Sequence, residues 1–418
     1  MSKLEKLIRE LCPNGVEYKK LIDLGRFYGG LTGKTKDDFK DGNKKFITYV
    51  NVFNNPSLRL DLEDKVKISD GENQRKLEYC DVIFTGSSEI PEECAISSVV
   101  VEQPKEDYYL NSFCFIWRIN DVSKFNPHFL KHLFRSDGLR KQLNKTANGV
   151  TRFNVSKKEM ENVEIPVPPR EVQDEIVRIL DNFTNLTAEL TAELTARKTQ
   201  YEFYKQSVFD DLKNYPLKHI TDIALVKARV GWQRLTKAEY LTSGNHYLIT
   251  GTDFKNGKID FSSCVYVSKE RYEMDQNIIV HEKDVLITKD GTLGKVAFLD
   301  VEPDKPTTLN SGVFRIKANQ KMVTGRYLYH FFTSKYFTDF VESVKTGSTI
   351  PHLTQEGLVS LDIPVPPIEK QKEIVDLLDS FEAYTNDISK GLPAEIELRQ
   401  KQYEYYRDKL LTFKRIGG

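Results

Sequence analysis

The chain contains itself twice. Ile165-Pro166-Val167-Pro168-Pro169 returns as Ile363-Pro364-Val365-Pro366-Pro367, an offset of 198 residues. At the same offset Gln173, Glu175, Ile176, Val177, Leu180, Asp181 and Phe183 return as Gln371, Glu373, Ile374, Val375, Leu378, Asp379 and Phe381. Arg197 and Gln200-Tyr201-Glu202 return as Arg399 and Gln402-Tyr403-Glu404, now offset by 202. A period of roughly 200 residues is too long for a solenoid, so a whole domain and a long helix have been duplicated. Two similar domains on one chain suit a target that itself comes in two parts.

The 418 residues suffice for two hydrophobic cores. With 39% hydrophobic and 29% charged residues the chain is typical of soluble globular proteins. No apolar run approaches the ~20 residues that span a bilayer. Met1-Ser2-Lys3-Leu4-Glu5-Lys6 is charged and lacks a signal-peptide core. The five cysteines (Cys12, Cys80, Cys94, Cys114, Cys264) form no C-x-x-C pair, and are expected as buried free thiols in a reducing cytoplasm. Balanced charge, 61 basic against 61 acidic residues, argues against a solitary protein gripping nucleic acid by bulk electrostatics. It leaves room for a reader whose partners supply the positive surface.

Residues 14–165 and 214–363 each read as short strands of β-branched and aromatic residues broken by Gly, Asn and Asp. Examples are Lys45–Val50 and Cys80–Phe84 in the first half, Tyr247–Thr250 and Asp284–Thr288 in the second. Each half closes with a helical stretch, Asn126–Leu143 and Thr324–Val344, so both are expected to be α+β domains. A Pro-rich hinge and a long helix follow each; Pro169 and Pro367 fit a first helical turn. The first apolar stripe runs Val172, Ile176, Ile179, Phe183, Leu186, Leu190, Leu194, then Tyr201, Tyr204, Val208 and Leu212. The second runs Ile374, Leu378, Phe381, Tyr384, Ile388, Leu392, then Tyr403, Tyr406 and Leu410. Steps of three and four are a coiled-coil seam, which Gly391 and Pro393 are expected to kink or break in the second helix. Thr187-Ala188-Glu189-Leu190 is repeated in tandem as Thr191-Ala192-Glu193-Leu194, a four-residue unit that keeps leucine on the seam. Phe183 to Arg197 spans 14 residues and Phe381 to Arg399 spans 18, so the first helix is one such unit shorter.

These motifs, in this order and twice over, resemble the specificity subunits of type I restriction–modification systems. The resemblance covers the whole chain and rests on the two Ile-Pro-Val-Pro-Pro hinges with Gln173-Asp174-Glu175-Ile176 and Gln371-Lys372-Glu373-Ile374. The Gln200–Tyr204 and Gln402–Tyr406 segments and the tandem Thr-Ala-Glu-Leu units carry it further. It implies target-recognition domains over 1–165 and 214–363, a central helical spacer over 166–213 and a distal one over 364–418. The spacers would pair as an antiparallel coiled coil with internal pseudo-twofold symmetry. Each domain would read one half of a bipartite site on double-stranded DNA. The helices would hold two adenine-N6 methyltransferase subunits, joined by endonuclease/translocase subunits. Chemistry would belong to those partners; no catalytic residue, metal or cofactor is implied in this chain.

The residues themselves agree. Gly29-Gly30-Leu31-Thr32-Gly33-Lys34-Thr35 is one residue short of a phosphate-binding P-loop, and Val230-Gly231-Trp232-Gln233-Arg234 stands in its place in the second copy. It is better read as a flexible basic loop near DNA phosphates, or as an ordinary turn. Asn54-Asn55-Pro56-Ser57 fails the Asn/Asp-Pro-Pro-aromatic pattern of adenine methylation, and the seven histidines show no metal spacing. Base reading needs Arg for guanine, Asn or Gln for adenine and acidic groups for cytosine, projected from rigid loops. Four kinds of duplicated loop carry such residues. Lys34 and Thr35 have Gln233 and Arg234 as counterparts. Thr85, Ser87 and Ser88 pair with Lys289, Asp290 and Thr292, and Asn111 with Asn310. Arg152 and Asn154 fall opposite Ser348, Thr349 and His352. Residues kept in both copies, such as Asn111 and Asn310, suit structural roles. Those that differ, Arg152 against Ile350 and Ser87 against Asp290, suit sequence choice. Two other readings fit the pattern: a specificity subunit serving a fused nuclease–methyltransferase, and a duplicated protein-interaction scaffold with a coiled coil.

Overall fold

The computed structural model describes residues 2–347, 351–386 and 391–417. Ser348, Thr349, Ile350 and Ile388 lie outside the described residues. The chain divides into two compact units, Met1–Glu189 with Ile396–Gly418, and Leu190–Glu395. Each unit therefore holds one globular domain, the near part of one helix and the far part of another.

In the first unit four antiparallel strands lie in the order Gly25–Gly29, Cys114–Ile119, Val82–Thr85, Ser97–Val99. Alternation sends Val82, Phe84, Phe115 and Trp117 into one core and Ile83, Cys114 and Ile116 into another. Both faces are thus buried, which is why these strands read as continuous apolar runs. The first core is closed by the helix Pro127–Leu133, with Phe134 edge-on to Phe84 and Trp117. The second is shared with a smaller sheet, in which Lys44–Ile47 runs parallel to Tyr108–Leu110.

The second unit repeats this. Ala224–Ala228, Val313–Ala318, Val285–Thr288 and Val296–Phe298 form the large sheet in the same order, and Tyr247–Ile249 runs parallel to Thr307–Leu309 in the smaller one. Each expected closing helix is two: Pro127–Leu133 and Asp137–Asn144, then Gly325–Phe332 and Lys335–Val344. The break comes from a serine in both copies. The Ser136 hydroxyl donates to the Leu133 carbonyl at 2.7 Å and Ser334 to Phe331 at 2.6 Å, turning the chain before the second helix starts. The expected strand Lys45–Val50 likewise stops at Ile47, because Thr48 accepts from the Asn51 N–H and caps the helix Tyr49–Asn54.

The hinge closes each domain on itself. Glu164–Pro166 pairs with Tyr18–Lys20 and Asp362–Pro364 with Leu217–His219, two-stranded ribbons in which proline is tolerated. Just beyond, a fully buried glutamine clamps helix to domain. Gln173 accepts from the Asn126 N–H and donates to the carbonyls of Lys124 and Pro168, each at 2.8 Å. Gln371 does the same with Thr324, Met322 and Pro366, each at 2.9 Å.

The central helix, Arg170–Asp211, is unbroken over 42 residues. Val172, Ile176 and Leu180 enter the first unit's core; Tyr201 and Phe209 enter the second's. The distal stripe is carried by Ile368–Asn386 and Leu392–Leu410, so a new helix starts at the expected Gly391–Pro393 break. Phe183 stacks on Tyr406 in the first unit, and Phe381 packs against Tyr201 and Tyr204 in the second. Each unit thus pairs a segment of the central helix with a segment of the distal stripe. Among the described residues no helix is long and apolar enough to cross a membrane. All five cysteines are buried free thiols.

Candidate nucleic-acid interface

Several of the candidate side chains are committed to holding loops. Lys34 is mostly buried, with Nζ 2.6 Å from both the Glu72 carboxylate and the Lys67 carbonyl. That ammonium, with further hydrogen bonds from the Ser69 N–H and Gln74, holds the Glu72 carboxyl down at about 2. Thr35 caps the short helix Lys36–Phe39 in a reciprocal box with Asp38. Gly30 lies so close to the Asn111 carbonyl that a Cβ would collide with it, while the next N–H, of Leu31, donates to Leu110. The glycine loop is therefore a packed corner of the domain, its glycine serving close backbone approach and its lysine an internal ion pair. The expected free basic loop is not what the chain builds. Asn111 and Asn310 accept from the N–H two residues on, of Phe113 at 2.7 Å and Gly312 at 2.9 Å, matching turns whose physical job explains their presence in both copies. Thr85 is fully buried and accepts from the Ile96 N–H, and Ser88 is bonded to Glu93 and Ile90.

Other candidates converge. In the first unit Ala147–Asn148, Phe153–Val155 and Ser87–Ser88 form a small sheet, with Asn148 opposite Asn154 and Asn154 opposite Ser87. In the second unit Thr346 lies opposite His352 and His352 opposite Asp290. These are equivalent rows of three, and residues directly opposite across antiparallel strands share a face. Arg152 reaches over its row, Nη2 3.1 Å from the Ser87 hydroxyl, and sits 5.7 Å above the half-exposed Phe113 ring. Tyr49 anchors the same point by donating to the Ser87 carbonyl at 3.0 Å. Asn154 is exposed. In the second row His352 Nδ1 lies 2.6 Å from Asp290 Oδ1, with both side chains about half exposed at 49% and 40%. A carboxylate only accepts, so the imidazole proton is on Nδ1.

Of the remaining candidates, Arg234 and Thr292 are exposed, Thr292 in a turn where Gly291 has φ +73°. Gln233 is buried, its Oε1 without a hydrogen-bond partner among the described residues. Lys289 holds the adjoining segment through its carbonyl, which accepts from the Leu353 N–H at 2.9 Å. Its ammonium lies 5.2 Å from the Phe314 ring.

Two kinds of duplicated buried polar pair escaped the sequence reading. Arg118 grips Asp81 through Nε and Nη2 at 2.8 and 2.7 Å, and Arg315 Nε grips Asp284 at 2.6 Å. Burial raises both carboxyls above their ordinary range against the pull of the arginines. A second pair ties domain to helix. His132 Nε2 meets Asp181 at 2.8 Å with Nδ1 2.9 Å from the Tyr403 hydroxyl, and His330 Nε2 meets Asp379 at 2.6 Å. The signal was present: His132 and His330 stand at the same 198 offset as the motif residues. His330, Asp379 and Glu382 offer ligand atoms within 4.8 Å of one another, the grouping with metal-site spacing among the described residues. Arg326 already bridges both carboxylates, at 2.8 and 2.9 Å, and Tyr329 donates to Glu382. A cation there would meet a guanidinium, so this cluster is a clamp.

The fold is thus a duplicated α+β scaffold with the same buried clamps in both copies and different side chains in the two polar rows. The family profile described as the type I restriction modification DNA specificity domain matches residues 13–197 and again 213–398. The chain belongs to that family and is a DNA specificity subunit. It is 32% identical over 305 residues to the putative type I restriction enzyme specificity subunit S.HindORF215P of Haemophilus influenzae, covering 71% of this chain and 74% of that protein. It is 32% identical over 281 residues to the type I restriction enzyme EcoR124I/EcoR124II specificity subunit of Escherichia coli, covering 62% of this chain and 65% of that protein. Among solved structures, a chain from work on complex assembly and conformational transition of the type I R-M system superposes with a TM-score of 0.64 at 16% identity. The match covers 96% of this chain and 98% of that one, and it is a likeness of fold.

Proposed function

We propose that residues 1–165 and 214–363 are target-recognition domains, each reading one half of a bipartite, asymmetric DNA site. Residues 166–213 and 364–418 are helical spacers that set the length of unread DNA between the halves. The helices dock two adenine-N6 methyltransferase subunits, and endonuclease/translocase subunits join that core in the cytoplasm. The chemistry is theirs; this chain directs it.

The observation that carries the reading is a division of labour between the copies. The glutamine clamps, the arginine–aspartate pairs and the asparagine turns are the same in both units, whereas the polar rows carry different side chains. A scaffold kept constant under a varied surface is what two half-sites of different sequence require. Arg152, Asn154, Arg234, Lys289, Asp290, Thr292 and His352 are the side chains proposed to meet DNA, with the buried Ser87 behind Arg152; Ser348 and Thr349, proposed from the sequence, lie outside the described residues. Lys34, Thr35, Thr85, Ser88, Asn111, Gln233 and Asn310 are proposed to shape the loops that present them.

The test is a methylation map of DNA from a methylation-free host expressing this chain with its cognate methyltransferase. A split motif carrying N6-methyladenine in its half-sites is expected, and exchanging one domain should change one half alone. A stable complex that leaves host DNA unmodified would refute the reading.

A further inference from the structure

We propose that the two equivalent three-residue rows read opposite members of a base pair in the two half-sites: Arg152 selects a guanine in the first, and Asp290 selects a cytosine in the second. This rests on the DNA-reading function proposed above and assigns its chemistry to particular side chains.

The rows occupy the same place in the two units by strand pairing. Asn154 faces Ser87 and Asn148 in one, and His352 faces Asp290 and Thr346 in the other. Their chemistry is inverted. The first row is rich in donors. Its guanidinium has no carboxylate partner among the described residues, in contrast to Arg59, Arg118, Arg170 and Arg178. Arg152 rests instead on a neutral hydroxyl and an aromatic face, which orient it and leave its charge uncompensated. An oriented, uncompensated guanidinium matches the O6 and N7 acceptors on the major-groove edge of guanine. Val150, 91% exposed at the tip of the same hairpin, and the half-exposed Phe113 add apolar surface where a thymine methyl or a base edge is met, not water alone.

The second row accepts. Asp290 takes the Nδ1 proton of His352 on one carboxylate oxygen, leaving the other for a second donor. A carboxylate is repelled by every phosphate, so at a DNA surface its favourable partner is an exocyclic amine, and cytosine N4 is the amine an aspartate reads. The backbone bridge from Asp290 to His352 fixes both groups at strand ends, where a reading side chain needs to be held.

The test uses the complete complex with its methyltransferase and compares motifs across variants. Domain exchange first assigns each half-site to its unit. Arg152→Ala is expected to relax one guanine position in the first half-site by about tenfold to a hundredfold, leaving the second half unchanged. Arg152→Lys should restore part of the preference. Asp290→Asn, which keeps the shape but adds a donor, is expected to relax one cytosine position in the second half alone. An unchanged motif in these variants, or a loss of equal size on every duplex, overturns the assignment, because clasping a hairpin or gripping phosphate would have that effect. A wild-type complex that yields no split motif defeats the DNA-reading proposal itself; a split motif indifferent to both variants defeats only this one.

Discussion

Replacing Gln173 with alanine removes three hydrogen bonds at a side chain with no solvent exposure. The Asn126 N–H and the Lys124 carbonyl lie at the junction's edge, where water can partly replace the lost partner, while the Pro168 carbonyl is enclosed. At about 1 kcal/mol for each of the first two and up to about 2 for the third, the loss is about 3–4 kcal/mol. Gln173→Glu separates hydrogen bonding from shape. It keeps the acceptor for Asn126 but turns a carboxylate oxygen on two carbonyls, so it should destabilise at least as much as alanine. Because the clamp recurs at Gln371, each unit is a control for the other. Hydrogen exchange is the assay, since a chain of two units need not unfold in one step. The amides of Pro127–Leu133 and the first turns of the central helix should exchange about two to three orders of magnitude faster in Gln173→Ala. Those of Gly325–Phe332 should not change, and Gln371→Ala should reverse the pattern. An acceleration below about tenfold, or protection restored by Gln173→Glu, would refute the reasoning.

Two further outcomes are expected. A third Thr-Ala-Glu-Leu unit inserted after Leu194 lengthens an unbroken helix by ~6 Å and turns its end by ~40°. Against ~3.4 Å per base pair, methylation mapping should show the unread spacer longer by roughly one to two base pairs, and an altered half-site would sink the ruler idea. Burial drives His132 down to about 4 and lowers His330, so between pH 6.5 and 4 the unfolded chain binds protons that the folded one refuses. Stability is therefore present above pH 6.5 and lost on acidification, by up to about 3 kcal/mol for His132. Urea titrations at several pH values should fall less steeply for His132→Gln, and parallel curves would count against it.

Much of this molecule can be read from the chain. The hinge motif and the glutamine after it recur because one junction is built twice, and a junction made of neighbouring segments leaves a local, repeated trace. The alternation of Val82–Thr85 between two cores is legible as an unbroken apolar run. The break at Gly391–Pro393 follows from proline's lost N–H. Serine's habit of bonding back to the preceding turn split each closing helix, and such competition is decided by geometry that periodicity does not carry.

Availability is another matter. Lys34 and Arg152 look alike as basic residues in polar loops. Only the fold brings Glu72 to the first, 38 residues away in sequence, while setting the second over Ser87 and Phe113. Likewise Asp290 and His352 are unremarkable apart, 62 residues distant, until strand pairing makes them one acceptor. Duplication, hinge, helix and family were written in the residues themselves, because local propensity and burial pattern repeat with the chain. Which polar side chains are consumed by the scaffold and which remain free to read was settled by long-range pairing, because a hydrogen-bonding group is free only when no distant segment has been folded against it.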